Sequence, residues 1–107
     1  MKVNRLAFLS SLSRVWPVVG NNQLVPEYQY FTFYGTRVQA TDGAIWIDAP
    51  LPEGLDLQLA VQAEPVYHLI QNIKDEEIEL EVVGDELKKL VVKTSTIKSE
   101  FTFYPPK

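Results

Sequence analysis

His68 is the sole histidine of the chain and lies one helical turn beyond Glu64, a spacing at which a carboxylate can orient an imidazole for proton transfer. Such chemistry also needs a nucleophile or a second base, and no Ser/His/Asp spacing, no cysteine and no second histidine supplies one. The plainer reading is a solvated or partly packed imidazole. Asp75, Glu76 and Glu77 form an acidic run, but it lacks the glycine-bearing loop of a calcium site and reads as a turn at a helix end. Neither G-x-x-x-x-G-K-[ST] nor G-x-G-x-x-G occurs, so no phosphate loop is signalled. Tyr28, Tyr30, Phe31, Phe33 and Tyr34 offer planar faces to single-stranded bases, although alternation along a strand sends half of them into a core. The chemistry-bearing residues thus point to binding rather than catalysis, with no cofactor and no metal implied.

The bulk composition frames this. A chain of 107 residues makes one domain with room for a continuous core, and 46% apolar with 22% charged residues is ordinary for a globular protein. Met1-Lys2-Val3-Asn4-Arg5 does not open a secretory signal, and no run of 18 apolar residues occurs. A cytoplasmic protein without a membrane segment is the expectation. The net charge of −4 argues against a generally basic nucleic-acid binder, but not against one that gathers its few cations on one face. Asp75, Glu76, Glu77, Glu79 and Glu81 are followed by Lys88, Lys89, Lys93 and Lys98, a pattern that predicts cross-strand charge pairing on a solvated sheet face.

Two units of similar grammar position these groups. Residues 4–16 predict a helix: Asn4 can cap it, Phe8, Leu9, Leu12, Val15 and Trp16 form one apolar stripe, and Pro17 ends it. The other face, with Ala7, Ser10, Ser11 and Arg14, is small and polar. A strand from Tyr28 to Tyr34 follows, and Gly35-Thr36 turns the chain into Arg37–Thr41. Asp42-Gly43 then predicts a two-residue type I′ hairpin turn into Ala44–Asp48. The second half predicts a strand (Leu55–Gln62), a helix (Glu64–Ile73) and three strands, Glu77–Val83, Leu87–Lys93 and Ile97–Tyr104, with Gly84-Asp85 as a turn. The helix stripe is Val66, Leu69, Ile70 and Ile73, with Glu64, His68, Gln71 and Asn72 outside and Pro65 tolerated in the first turn. The expected class is α+β, two helices packed on antiparallel sheet. Phe-Thr-Phe-Tyr occurs at 31–34 and again at 101–104, and reads as shared β-propensity.

Ala40-Thr41-Asp42-Gly43, set between a helix and a second strand-helix unit, resembles bacterial sliding DNA clamps, the β subunit of DNA polymerase III. Leu9-x-x-Leu12-x-x-Val15 is similar to the first clamp helix, and Leu24-Val25-Pro26 to the loop into its sheet. Val61-Gln62-Ala63-Glu64-Pro65, an acidic turn and Ile78-Glu79-Leu80 are similar to the second helix and following strand. Phe101–Pro106 resembles the exit into a next domain.

The resemblance implies a DNA-clamp fold of two β-α-β-β-β-like units over residues 1–107, one domain of a ring or the N-terminal domain of a longer chain. It implies a non-catalytic processivity module that encircles duplex DNA without reading sequence, with DNA polymerase and clamp loader as partners. Other clamp domains would join at sheet edges, expected at the 77–93 hairpin or the 28–34 strand. The implied DNA-facing residues are Arg5, Ser10, Arg14, Asn22, Gln23, Gln71 and Lys74, with Asn21 and Asn72 beside them. Here the chain departs from the pattern: Gly20-Asn21-Asn22-Gln23 and Ala63-Glu64-Pro65 stand where clamps often carry cations, leaving Arg5, Arg14 and Lys74 as phosphate partners. The alternative reading is a clamp-fold protein-binding module, a decoy or assembly factor, without a DNA-holding role.

Overall fold

The computed structural model describes residues 1–19, 29–84 and 88–104. The predicted loop 20–23, Leu24-Val25-Pro26, Tyr28, the Asp85 side of the Gly84-Asp85 turn and Pro105-Pro106 lie outside the described residues.

The chain runs β1 (Lys2–Asn4), α1 (Arg5–Val15), a 3-10 turn (Trp16–Val18), β2 (Tyr30–Gly35), β3 (Arg37–Thr41), β4 (Trp46–Pro50), β5 (Leu57–Gln62), α2 (Ala63–Asn72), β6 (Glu77–Val83), β7 (Lys89–Lys93) and β8 (Lys98–Tyr104). All strand pairs are antiparallel, in one curled sheet of order β1-β6-β7-β8-β5-β2-β3-β4, and both helices pack on it. The predicted fold class holds. What the periodicity did not predict is β1, because three residues are too few to show alternation. It completes the first unit, so that β1-α1-β2-β3-β4 is matched by β5-α2-β6-β7-β8.

The units exchange their first strands. β1 pairs with β6 of the second unit, through Lys2↔Glu79, Val3↔Ile78 and Asn4↔Glu77. β5 pairs with β2 of the first along its whole length, Tyr30↔Gln62 to Gly35↔Leu57. The Met1 amino nitrogen donates to Leu80 O at 2.8 Å and Leu80 N donates back to Met1 O at 2.7 Å. The two half-sheets meet at a narrow seam, Ala60↔Tyr104 and Val61↔Phe103. On the outer surface the Tyr30 and Tyr104 rings approach across β5, with centroids 5.6 Å apart.

Helix α1 starts where Asn4 Oδ1 accepts from Ala7 N at 2.9 Å, satisfying an amide that has no partner within the helix. Its core face is Phe8, Leu12 and Val15, and that of α2 is Val66, Tyr67, Ile70 and then Ile73, all buried against Phe31, Phe33, Val38, Leu59, Leu80 and Val92 of the sheet. Leu9 and Leu69 are only partly buried at the margin of this core. Ser11, predicted on the polar face, is buried, because its Oγ donates to Pro50 O of β4 at 2.7 Å. Tyr67, absent from the predicted stripe, belongs to the core.

Two turns obey their glycines differently. Tyr34 pairs with Arg37 across Gly35-Thr36, and Gly35 takes φ +63° at the first central position, as a II′ hairpin requires. The predicted I′ turn at Asp42-Gly43 is instead a four-residue loop, 42–45, closed by Thr41↔Trp46, and β4 begins at Trp46 rather than Ala44. The Asp42 carboxylate accepts from both Ala44 N and Ile45 N at 2.9 Å, holding an Asx turn in which Gly43 alone takes positive φ, +97°. Thr41 Oγ1 donates to Ile45 O at 2.7 Å and accepts from Gly43 N at 3.0 Å.

The sheet edges also differ from expectation. Strand β2 is interior, between β5 and β3, and β6 is covered by β1. The outermost strands are β1 and β4, and the rim of β4 carries Ile45 and Trp46 at 53% and 68% exposure.

Truncating Leu12 or Ile70, each wholly buried, to Ala should lower stability by about 2–5 kcal/mol in urea titrations. Losses below 1 kcal/mol, on the order of a surface change, would contradict the shared core. The Asp42 carboxyl is held below its ordinary 3.8 by hydrogen bonds from the Ala44 and then the Ile45 amide. A carboxyl lowered by folding adds stability above its unfolded pKa and loses it as pH falls through the folded value. The urea midpoints of the parent and Asp42→Ala should therefore differ near neutrality and converge once pH drops well below 3.8. A gap that persists in acid would rule out the carboxylate as the loop's anchor.

Candidate nucleic-acid interface

The two helices carry few charges, and these are mostly basic. α1 carries Arg5 and Arg14 and no acidic residue, and α2 carries Glu64 as its single acid. The acids are instead on the sheet and its loops: Glu77, Glu79 and Glu81 alternate along the outer face of β6, and Glu100 and Asp48 lie on β8 and β4. Of the predicted cross-strand pairs Lys93–Glu81 forms, whereas Lys89 Nζ donates to Thr102 Oγ1 at 2.9 Å; Arg37–Asp48 is an unpredicted addition. Lys93 Nζ donates to Glu81 Oε2 at 2.7 Å and Arg37 Nε to Asp48 Oδ2 at 2.9 Å. Lys93 lowers the Glu81 carboxyl below its usual range, and Arg37 does the same for Asp48. These pairs are solvent-exposed and add little stability. Their consequence is electrostatic: Arg37 and Lys93 are each engaged by a carboxylate.

Of the predicted DNA-facing residues, Ser10 and Arg14 are exposed one turn apart on α1. Gln71 is exposed on the last turn of α2, and Lys74 is exposed just after it. Asn22 and Gln23, with Asn21, lie outside the described residues. Arg5 is different. Its Nε donates to Asp75 O at 3.0 Å and one Nη to Ile70 O at 3.1 Å. The chain therefore brings Arg5 and Lys74 to one end of the layer, with Ser10 and Arg14 along α1. Leu6, 61% exposed, is an apolar member of the same surface.

The far end of the layer is aromatic. Trp16 stacks on Tyr67 with centroids 4.2 Å apart and an interplanar angle of 9°, and His68 presents its ring to Trp16 edge-on at 5.9 Å. Ser13 Oγ and Tyr67 Oη share a hydrogen bond of 3.0 Å. His68 Nε2 is 3.9 Å from Glu64 Oε1, with both side chains more than half exposed. That is the solvated, partly packed imidazole of the plainer sequence reading. The Asp75 carboxylate accepts from Ser95 Oγ at 2.8 Å, tying the acidic turn to the β7–β8 connection. The aromatic run splits between the two faces of β2: Phe31 and Phe33 are wholly buried, while Tyr30 meets Tyr104 on the outside. Among the described residues no continuous stacking platform results.

Sequence reasoning missed the grip of Arg5 and the exposed Ile45-Trp46 pair. The first leaves no signal in spacing, since its partners are backbone carbonyls far along the chain. The second was legible as two adjacent large apolar residues beside a turn, a pattern that alternation cannot bury on one face.

The fold is that of one domain of a bacterial DNA polymerase sliding clamp. The sliding clamp of Bacillus subtilis superposes with a TM-score of 0.84 over 97% of this chain at 12% identity. The β subunit of DNA polymerase III from Thermotoga maritima gives 0.83 over 97% at 18% identity. The clamp of Caulobacter crescentus gives 0.78 over 97% at 22% identity. The chain spans about 30% of the length of these clamp chains. No protein-family model and no curated protein sequence matches it.

Ser13→Ala and Tyr67→Phe each remove one member of the hydroxyl pair and should cost about 0.5–1.5 kcal/mol. The double variant should lose little more than the worse single one. Additive losses would mean that the two hydroxyls act separately.

Proposed function

We propose that the chain is a non-catalytic sliding-clamp domain, acting in the cytoplasm, whose helix layer faces duplex DNA inside a ring of such domains. The carrying observation is the division of charge: Arg14 exposed on α1, a helix without an acidic residue, against a sheet where Arg37 and Lys93 are held in ion pairs by Asp48 and Glu81. In this reading Arg14 and Lys74 approach phosphates, and Ser10 and Gln71 add polar contacts without sequence readout. The ring closes where sheet edges meet, and β4, an outermost strand among the described residues, offers an edge with Ile45 and Trp46 exposed beside it. DNA polymerase and clamp loader would then be partners of the assembled ring. Retention on DNA would come from topology, because two phosphate contacts hold a duplex only weakly.

Titration of duplex DNA into the protein at low salt tests this. With about two phosphates neutralised, the logarithmic salt slope should be near −1.8, and the affinity about millimolar or weaker, equal for unrelated sequences. Arg14→Glu should abolish the remaining binding. Tight, sequence-specific binding would overturn the reading, as would an Arg14→Glu variant that binds like the parent.

A further inference from the structure

We propose that Arg5 is a positioning residue and not a phosphate ligand: its guanidinium clasps the chain where it leaves α2, and thereby fixes Lys74 on the helix layer. Only the DNA measurement below rests on the clamp reading of that layer; the clasp itself rests on hydrogen bonds.

The last carbonyls of a helix lack partners within it. In α2 two of these, Leu69 O and Ile70 O, are met by Ile73 N and by Arg5. Asn72 Nδ2 donates to His68 O at 2.8 Å, Ile73 N donates to Leu69 O at 3.0 Å, and Arg5 takes Ile70 O at 3.1 Å. The guanidinium reaches on to Asp75 O at 3.0 Å, and the Arg5 backbone N donates to Glu76 O at 2.8 Å. One residue therefore holds three carbonyls on either side of Lys74. The negative end of the helix dipole adds attraction for the cation. From the opposite side, Asp75 Oδ2 accepts from Ser95 Oγ at 2.8 Å, so the return is gripped twice. With two guanidinium donors committed, Arg5 is poorly placed to serve a phosphate as well. Lys74, at the centre of the gripped segment, is exposed.

A planar guanidinium can serve two separated carbonyls at once, whereas a lysine ammonium is a single point of charge on a flexible stem. Arg5→Lys therefore keeps the charge and discards the grip. In hydrogen exchange on the full chain, amides 71–77 of Arg5→Lys should exchange about tenfold faster than in the parent, as they should in Arg5→Gln. Duplex DNA titrated against the same proteins should give a smaller salt slope for Arg5→Lys, because Lys74 is no longer held toward a phosphate. Lys74→Gln should weaken binding in the parent background and do much less in the Arg5→Lys background. The proposal is overturned if Arg5→Lys exchanges like the parent, or if Arg5→Gln loses about 0.9 of the salt slope while its exchange is unchanged, the mark of a direct phosphate contact. If no variant binds DNA, the protein-binding reading of the helix layer is favoured, and the exchange rates still decide the clasp.

Discussion

The exchange of first strands between the two halves is the constraint on which the rest of the molecule depends. β1 completes the sheet of the second unit and β5 that of the first, so neither half presents a finished hydrogen-bonded face without the other. Each helix follows directly on an exchanged strand, Asn4 into Arg5 and Gln62 into Ala63. The direction in which each helix enters the core is thus set by a strand anchored in the opposite unit. A single core, spanning Phe8, Leu12, Phe33, Leu59, Ile70 and Leu80, is the outcome. A strand of three residues is enough for this because it is bonded at both ends, by the Met1–Leu80 pair and by Arg5 N to Glu76 O.

The same architecture separates two electrostatic surfaces that composition averages away. A net charge of −4 describes neither face. On the sheet, alternation sends every second residue outward, and acids and lysines fill many of those positions, Lys93 pairing with Glu81 across strands. On the helices the outward positions are mostly polar, with Arg14 on α1, Glu64 on α2 and the apolar Leu6 among them. A polyanion approaching the helix layer meets few charges, none of them locked into the ion pairs that occupy the sheet.

Much of this was legible in the sequence because it is periodic. The stripe Phe8, Leu12, Val15, the stripe Val66, Ile70, Ile73, and the Glu-Ile-Glu-Leu-Glu alternation of 77–81 each translate a repeat directly into a buried face. What stayed hidden depends on partners distant in sequence. Ser11 lies on the polar side by spacing, yet is buried by a carbonyl on β4. Asp42-Gly43 has the wording of a two-residue turn, but a local competition for amides is won by the Asp42 carboxylate, and the loop grows to four residues. Among the candidate interface residues, the exposure of Ser10, Arg14 and Gln71 follows from helix phase. The engagement of Arg5 does not, since backbone acceptors carry no residue code.

The two copies of Phe-Thr-Phe-Tyr prove to be neighbours of one strand. Val61 of β5 faces Phe31 on one side and Phe103 on the other, while Ala60 faces Thr32 and Tyr104. Seen from outside, Tyr30 and Tyr104 lean toward each other over β5, and Ala60 beneath is 7% exposed. The ladder at this junction is two residues long, and on the outer surface it is overlaid by two phenol rings that meet above a small methyl. A larger side chain at residue 60 would run into both rings, so the smallness of Ala60 is a condition of their contact.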